Sequence, residues 1–198
     1  AIDAASTGDV VRVSGTCHEH DVQVDKTITL QGGWNETFTR HDPDLYPTTI
    51  DANRQGRVME IDGQVLITPT VEYFVLTGGS QGGVYIATQV DATLRGNIIE
   101  DNEKLTSTGD GGGVNVYYHG DATLIGNVIR NNRAGRHGGG LMGSRDVTLI
   151  SNVIAGNTCA LAATNGQGAG MWLGRGELVN NTLANNSGGD GSGIRVGG

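Results

Sequence analysis

The sequence predicts an all-β fold, a parallel β-solenoid of about seven to eight coils, and three observations carry the prediction. Glycine supplies 34 of the 198 residues, more than twice the usual share of about 7%. At roughly 1 kcal/mol lost per interior glycine, long helices are disfavoured. A block then recurs: Thr93-Leu94-Arg95-Gly96-Asn97-Ile98-Ile99-Glu100-Asp101-Asn102 returns at 123–132, at 148–157 and, from Glu177 to Asn186, a fourth time. Finally, a Gly-led pattern repeats alongside these blocks, as Gly83-Val84-Tyr85-Ile86, Gly113-Val114-Asn115-Val116, Gly140-Leu141-Met142-Gly143, Gly170-Met171-Trp172-Leu173 and Gly193-Ile194-Arg195-Val196.

The spacing turns these repeats into coils. One asparagine falls at 97, 127, 152 and 181 and a second at 102, 132, 157 and 186, so both advance by 30, 25 and 29 residues. Two positions that keep register while the period changes place the variable length in loops between fixed strands. Alternating apolar residues within each short segment mark strands with one buried face. Stacking one coil on the next, about 4.8 Å apart, aligns Leu94, Leu124, Leu149 and Leu178, and likewise Ile99, Ile129, Ile154 and Leu183. The two asparagine files are expected to form amide ladders along the axis, with asparagine also tolerating a left-handed turn. Glycine before each Gly-led strand is expected to permit backbone angles that a Cβ forbids.

The chain reads as one domain over 1–198, with irregular coils over 1–70 and regular ladder coils over 71–198. In the first part, strand candidates are Val10 to Val13, Val22 to Val24, Thr27 to Leu30 and Val58 to Ile61. Residues 34–47 read as an excursion from the coil, with Pro43 and Pro47 ending strand structure, and residues 1–6 as a short helix covering the first coil. Val71, Phe74 and Leu76 take the places of Leu94, Asn97 and Ile99, so phenylalanine enters the asparagine file.

With the Asn-x-Ile-x-x-Asn and Gly-Gly-x-apolar pairings in hand, and with Gly8-Asp9-Val10-Val11-Arg12-Val13 through Thr27-Ile28-Thr29-Leu30-Gln31-Gly32 resembling opening coils, the chain resembles right-handed parallel β-helix repeat proteins of bacterial surfaces, of the pectate-lyase-like and polymorphic outer-membrane-protein types. The resemblance covers nearly the whole chain, rests on scaffold residues, and implies an extracellular or cell-surface setting. That group includes polysaccharide lyases, glycoside hydrolases, adhesins and surface fibres, and fold alone does not choose among them.

Composition narrows the field. Thirteen Lys and Arg against 21 Asp and Glu leave a net charge of −8, which argues against a nucleic-acid backbone as partner; with two lysines, a polybasic membrane patch is not expected either. No apolar run approaches the ~18 residues of a membrane span. Sugar-cleaving β-helices need carboxylates grouped on one face, yet the outward position of the Gly-led strand reads Tyr85, Asn115, Met142, Trp172, Arg195, without a carboxylate. Acidic residues fall instead at turns, as Asp91, Asp101, Glu103, Asp110 and Asp121, with Asp91 and Asp121 at equivalent places. No catalytic, cofactor or metal residue is assigned: Gly78 to Gly82 fits G-x-S-x-G without the helix that motif requires, the Gly188 to Val196 stretch lacks a ligand of the calcium nonapeptide, and His18-Glu19-His20 has no third ligand.

Contact residues are assigned more readily. Tyr85, Asn115, Tyr117, Tyr118, Trp172 and Arg195 form the candidate surface for a glycan or a partner, because exposed aromatic rings favour interfaces. Outside the leucine file, Ile125, Ile150 and Val179 form an apolar stripe, covered by loops or by a lateral neighbour. Cys17 and Cys159, some six coils apart, are too distant to bond within the chain. After the strand Ile194 to Val196 and Gly198, no capping segment is visible. The alternatives are a longer surface protein, end-to-end stacking of copies into a fibre, or a local loop cap. The leading functional expectation is a non-catalytic structural or adhesive solenoid, and its alternative is a carbohydrate-active β-helix or glycan-binding module.

Overall fold

A computed structural model describes residues 1–159 and 166–197; Gly198, where the open end was expected, lies outside the described residues. Among the described residues there are strands and turns and no helix. Each coil lays strands on three faces, and like faces pair in parallel from coil to coil. Face one holds Val10–Arg12, Thr29–Gln31, Thr70–Glu72, Asp91–Arg95 and Asp121–Ile125. Face two holds Thr16–Cys17, Thr48–Asp51, Phe74–Thr77, Ile98–Glu100, Val128–Arg130, Val153–Ala155 and Thr182–Ala184. Face three holds Val22–Val24, Met59–Ile61, Val84–Ile86, Val114–Val116 and Ile194–Val196. Two longer strands, Leu141–Ile150 and Met171–Val179, run through both face three and face one. A minor stack of Glu103–Lys104, Arg133–Ala134 and Thr158–Cys159 fills the return to face three. Seven strands stack on face two, about six full turns of chain and slightly fewer than the seven to eight coils expected.

The registers follow the repeats. Leu94 pairs with Leu124, Leu124 with Leu149 and Leu149 with Leu178, and Ile99, Ile129, Ile154 and Leu183 do the same on face two. All but the last of each file are buried, each such side chain contributing roughly 1.5–3 kcal/mol. The asparagine ladders form in both files. Asn97 Nδ2 donates to Asn127 Oδ1 (3.1 Å) and to the Val71 carbonyl (2.9 Å), while Asn127 Oδ1 also accepts the Asn97 backbone N–H (3.0 Å). Asn102, Asn132, Asn157 and Asn186 repeat the pattern at the next corner. Phe74 stands below Asn97 and gives its backbone N–H to Asn97 Oδ1 (3.0 Å). Below Phe74 comes Thr48, whose hydroxyl accepts the Gly33 N–H and donates to the Val13 carbonyl.

Three expectations are corrected. The ladder asparagines are not the left-handed residues. That conformation belongs to the residue before each, Gly96, Gly126, Ser151 and Asn180 at one corner and Asp101, Asn131, Gly156 and Asn185 at the other, and to Tyr73 and Gly78 at the equivalent places before Phe74 and Gly79, with φ between 54° and 75°. The strand-leading Gly83, Gly113, Gly140 and Gly170 are required for space rather than angle, since a Cβ on Gly113 or Gly140 would lie 2.6 Å from the carbonyl oxygen of the next coil and 2.8 Å from a ladder amide, whereas Gly193 has open space. Residues 1–6 form a turn instead of a helix, with Ala5 N–H on the Ile2 carbonyl (3.0 Å) and Ser6 N–H on the Asp9 carboxylate (2.8 Å); a segment this short does not nucleate a helix unaided. Between the strands Thr29–Gln31 and Thr48–Asp51, residues 34–47 hold no strand. Within them Trp34 bridges His41 and packs under the Arg12 guanidinium, 4.3 Å from the ring centre.

Candidate functional groove

Coil length builds the groove. Register matches Lys104 to Ala134 and Val114 to Leu141, so the loop after Lys104 holds three residues more than the loop after Ala134. Register also matches Val116 to Gly143 and Ala122 to Val147, so the corner at 117–120 holds two more than the corner at 144–145. Together these five residues are the whole difference between the 30-residue and 25-residue repeats. The longer coil therefore projects at two places, carrying Thr108 and Asp110 on one side and Tyr117 and Tyr118 on the other. Between them lies a groove of about 660 Å³ floored by face three.

Face three carries one stacked file, Glu60, Tyr85, Asn115, Met142, Trp172 and Arg195, and its first four members floor the groove. Glu60 corrects the expectation that this file has no carboxylate. It went unnoticed because Val58, not glycine, leads its strand. Tyr85, Tyr117 and Tyr118 follow one another at ring separations of 5.8 and 6.1 Å, and His119 continues the row at 5.9 Å. Arg57 lies over the Tyr85 ring at 4.4 Å and pairs with Glu60 at 2.9 Å. Burial holds the Tyr85 phenol above its ordinary range, so it stays protonated.

Asn115, expected on the surface, is 7% exposed. The Asp110 to Gly112 loop folds across it, and Asn115 Nδ2 donates to the Asp110 carbonyl at 3.1 Å. Its Oδ1 is buried without a hydrogen-bond donor. Asp110 is fully engaged: Arg136 grips both carboxylate oxygens, and the His137 backbone N–H donates to one of them at 3.2 Å. His137 stacks on Trp172, with centroids 6.1 Å apart, and burial pushes its pKa down, favouring the neutral ring. Lys104 completes the lining half-buried, its ammonium in no hydrogen bond or ion pair among the described residues. Burial pushes its pKa down, and the neighbouring Arg57 adds to this.

Of the six contact residues expected, four, Tyr85, Asn115, Tyr117 and Tyr118, come together in this groove. Trp172 lines an adjoining hollow with Ser144, Arg145 and Arg175, and Ser144 is common to both. Arg195 stands exposed one coil beyond Trp172. Sequence reasoning missed Arg57, Lys104 and Arg136 as groove residues, since each lies in a segment whose length varies from coil to coil. Ile125, Ile150 and Val179 do form a file, partly buried and ending at Val179 with 38% exposure.

Elsewhere the expected features are separate from the groove. Asp91 and Asp121 stack as neighbours, and the Asp121 pKa is raised, first by burial and then by Asp146 and Asp91. His18 lies 3.8 Å from Asp51 while His20 pairs with Asp21 at 2.9 Å, and among the described residues no three His, Cys, Asp or Glu side chains converge. Cys17 and Cys159 are free thiols. No helix of the described residues is long and apolar enough to cross a membrane.

A family model described as a right handed beta helix region matches residues 48–198. No curated protein and no solved structure is significantly similar to the chain.

Proposed function

The chain belongs to the right-handed β-helix family, and from that premise we propose that it is an extracellular, non-catalytic adhesive solenoid that holds a glycan in the face-three groove. The observation carrying this reading is the row of Tyr85, Tyr117 and Tyr118 rings along a groove of about 660 Å³. Tyrosine offers a flat apolar face for a sugar ring and a hydroxyl for its edge, and from Glu60 to Met142 the floor runs three coil steps, roughly 14 Å. The walls are rigid because they grow from hydrogen-bonded coils, so little ordering is lost on binding. Against turnover, both groove carboxylates are already gripped by guanidinium groups, Glu60 by Arg57 and Asp110 by Arg136, which leaves neither free to shuttle a proton.

The test is a glycan array followed by calorimetry on the best binders. Wild type is expected to bind a defined glycan class, and Tyr117→Ala to weaken that binding about tenfold, the loss of one stacked ring. An array without binders, or a Tyr117→Ala variant that binds as well as wild type, overturns the reading. A carbohydrate-cleaving reading draws on one observation, the half-buried Lys104 with its lowered pKa, a property of lysine bases. Release of shortened products from a bound glycan would put that reading in place of adhesion.

A further inference from the structure

The groove carries a net positive charge on an acidic protein. Arg57, Lys104 and Arg136 face Glu60 and Asp110, three cations against two carboxylates, while the whole chain stands at −8. The two arginines are each paired. The unbalanced charge is therefore Lys104, which offers three N–H donors and has no acceptor among the described residues. A cation drawn out of water without a counter-ion is costly, and natural sites of this kind are completed by one. Beside it stands Asn115, more than nine-tenths buried, with an Oδ1 that no donor reaches. Asn115 Oδ1 is sealed beneath the floor, so the group left open to the groove is the Lys104 ammonium, and it points to a ligand that completes it.

Resting on the glycan-binding reading above, we propose that Lys104 recognises an acidic substituent, a carboxylate or a sulfate, on the glycan, and that the tyrosine row holds the sugar ring bearing it. The lysine's lowered pKa fits a cation waiting for its counter-ion, because an anion placed against it stabilises the charged form. The groups facing it are Arg57 and Arg136, which press its pKa down, and Asp110, which raises it. Loss of the proton as pH rises removes the attraction, so acidic-glycan binding falls at a lower pH than it would on an ordinary lysine.

The chain has two lysines, Lys26 and Lys104, and this makes the experiment direct. The full chain is labelled with ¹³Cε-lysine, giving two NMR signals assigned with Lys104→Gln, and titrated with a uronate tetrasaccharide, its sulfated counterpart and its neutral methyl ester. The Lys104 signal is expected to move with an acidic sugar and its titration to shift upward, while Lys26, held on the first coil by the Asp3 and Ala5 carbonyls, stays in place. Calorimetry on Lys104→Gln is expected to show about tenfold weaker acidic binding, the worth of one charge-assisted hydrogen bond, and a smaller change for the neutral ester. Which acidic sugar binds more tightly identifies carboxylate or sulfate. Acidic sugars that bind without moving the Lys104 signal, or equal affinity for acid and ester, overturn the role of Lys104 and leave the tyrosine groove standing. If no sugar binds, the glycan reading itself fails, and this inference with it.

Discussion

Asn127 shows what one residue does in this fold. Its amide accepts the Asn97 backbone N–H (3.0 Å) and side chain (3.1 Å) and donates to the Leu94 carbonyl (2.8 Å) and Asn152 Oδ1 (3.0 Å). Every partner is in a different coil, so one side chain ties three coils together. Alanine there orphans the Asn97 N–H and the Leu94 carbonyl in a place water does not reach, at about 1–3 kcal/mol each. Asn127→Ala is thus expected to cost roughly 3–5 kcal/mol in a urea titration. Asn181→Ala, on the half-exposed last rung, is expected to cost about 1 kcal/mol, because water can take over its bonds. Equal losses at the two positions would show that the amides are spacers rather than bonded rungs. The asparagine file was visible in the sequence as a repeat, but the division of labour at the corner was not. Spacing alone does not tell which of two adjacent residues, Ser151 or Asn152, is left-handed and which faces inward.

At the scale of the element, glycine does two different jobs. Gly126 adopts φ of 62° with open space around a Cβ, and its counterpart Asn180 adopts 55°. Gly126→Ala is expected to cost about 1 kcal/mol of left-handed strain, and Gly126→Asn less. Gly140 needs no unusual angle, yet its Cβ would meet the Gly170 oxygen at 2.6 Å and Asn157 Nδ2 at 2.8 Å. Gly140→Ala forces the coils apart where backbone bonds hold them, and a loss of about 3 kcal/mol or more is expected. Thermal denaturation of the three variants checks the order, and Gly140→Ala melting above Gly126→Ala would refute the spatial argument. Strand positions were readable from the repeat because burial alternates with every residue. The loops were not, because nothing in a repeat says toward which side an insertion of two or three residues will lean.

Over the whole molecule, stability is a sum over neighbouring coils. Such stacks open from their ends, where a coil has one neighbour instead of two. The strand Ile194–Val196 is exposed and Thr182–Ala184 partly so, whereas Ile99, Ile129 and Val116 are fully buried. Hydrogen exchange followed by mass spectrometry is expected to label the last coil first and the coils around residues 98–130 last; uniform protection along the chain would contradict this. Charge is also distributed at this scale. The acidic residues spread over turns and faces, but the 30-residue coil gathers Lys104, Asp110, Tyr117 and Tyr118 beside Arg57 and Arg136.

The sequence by itself determined the winding of this chain, which residues stack, and that the asparagines and glycines form files, because a parallel stack repeats its environment every coil and so repeats its residues. Only the tertiary structure decided that a groove exists, that Glu60 belongs to its floor, and that Lys104 stands there without an ion-pair partner among the described residues. Those facts depend on where unequal loops project and on which charges, up to 79 residues apart along the chain, end up facing one another, and no periodic pattern records either.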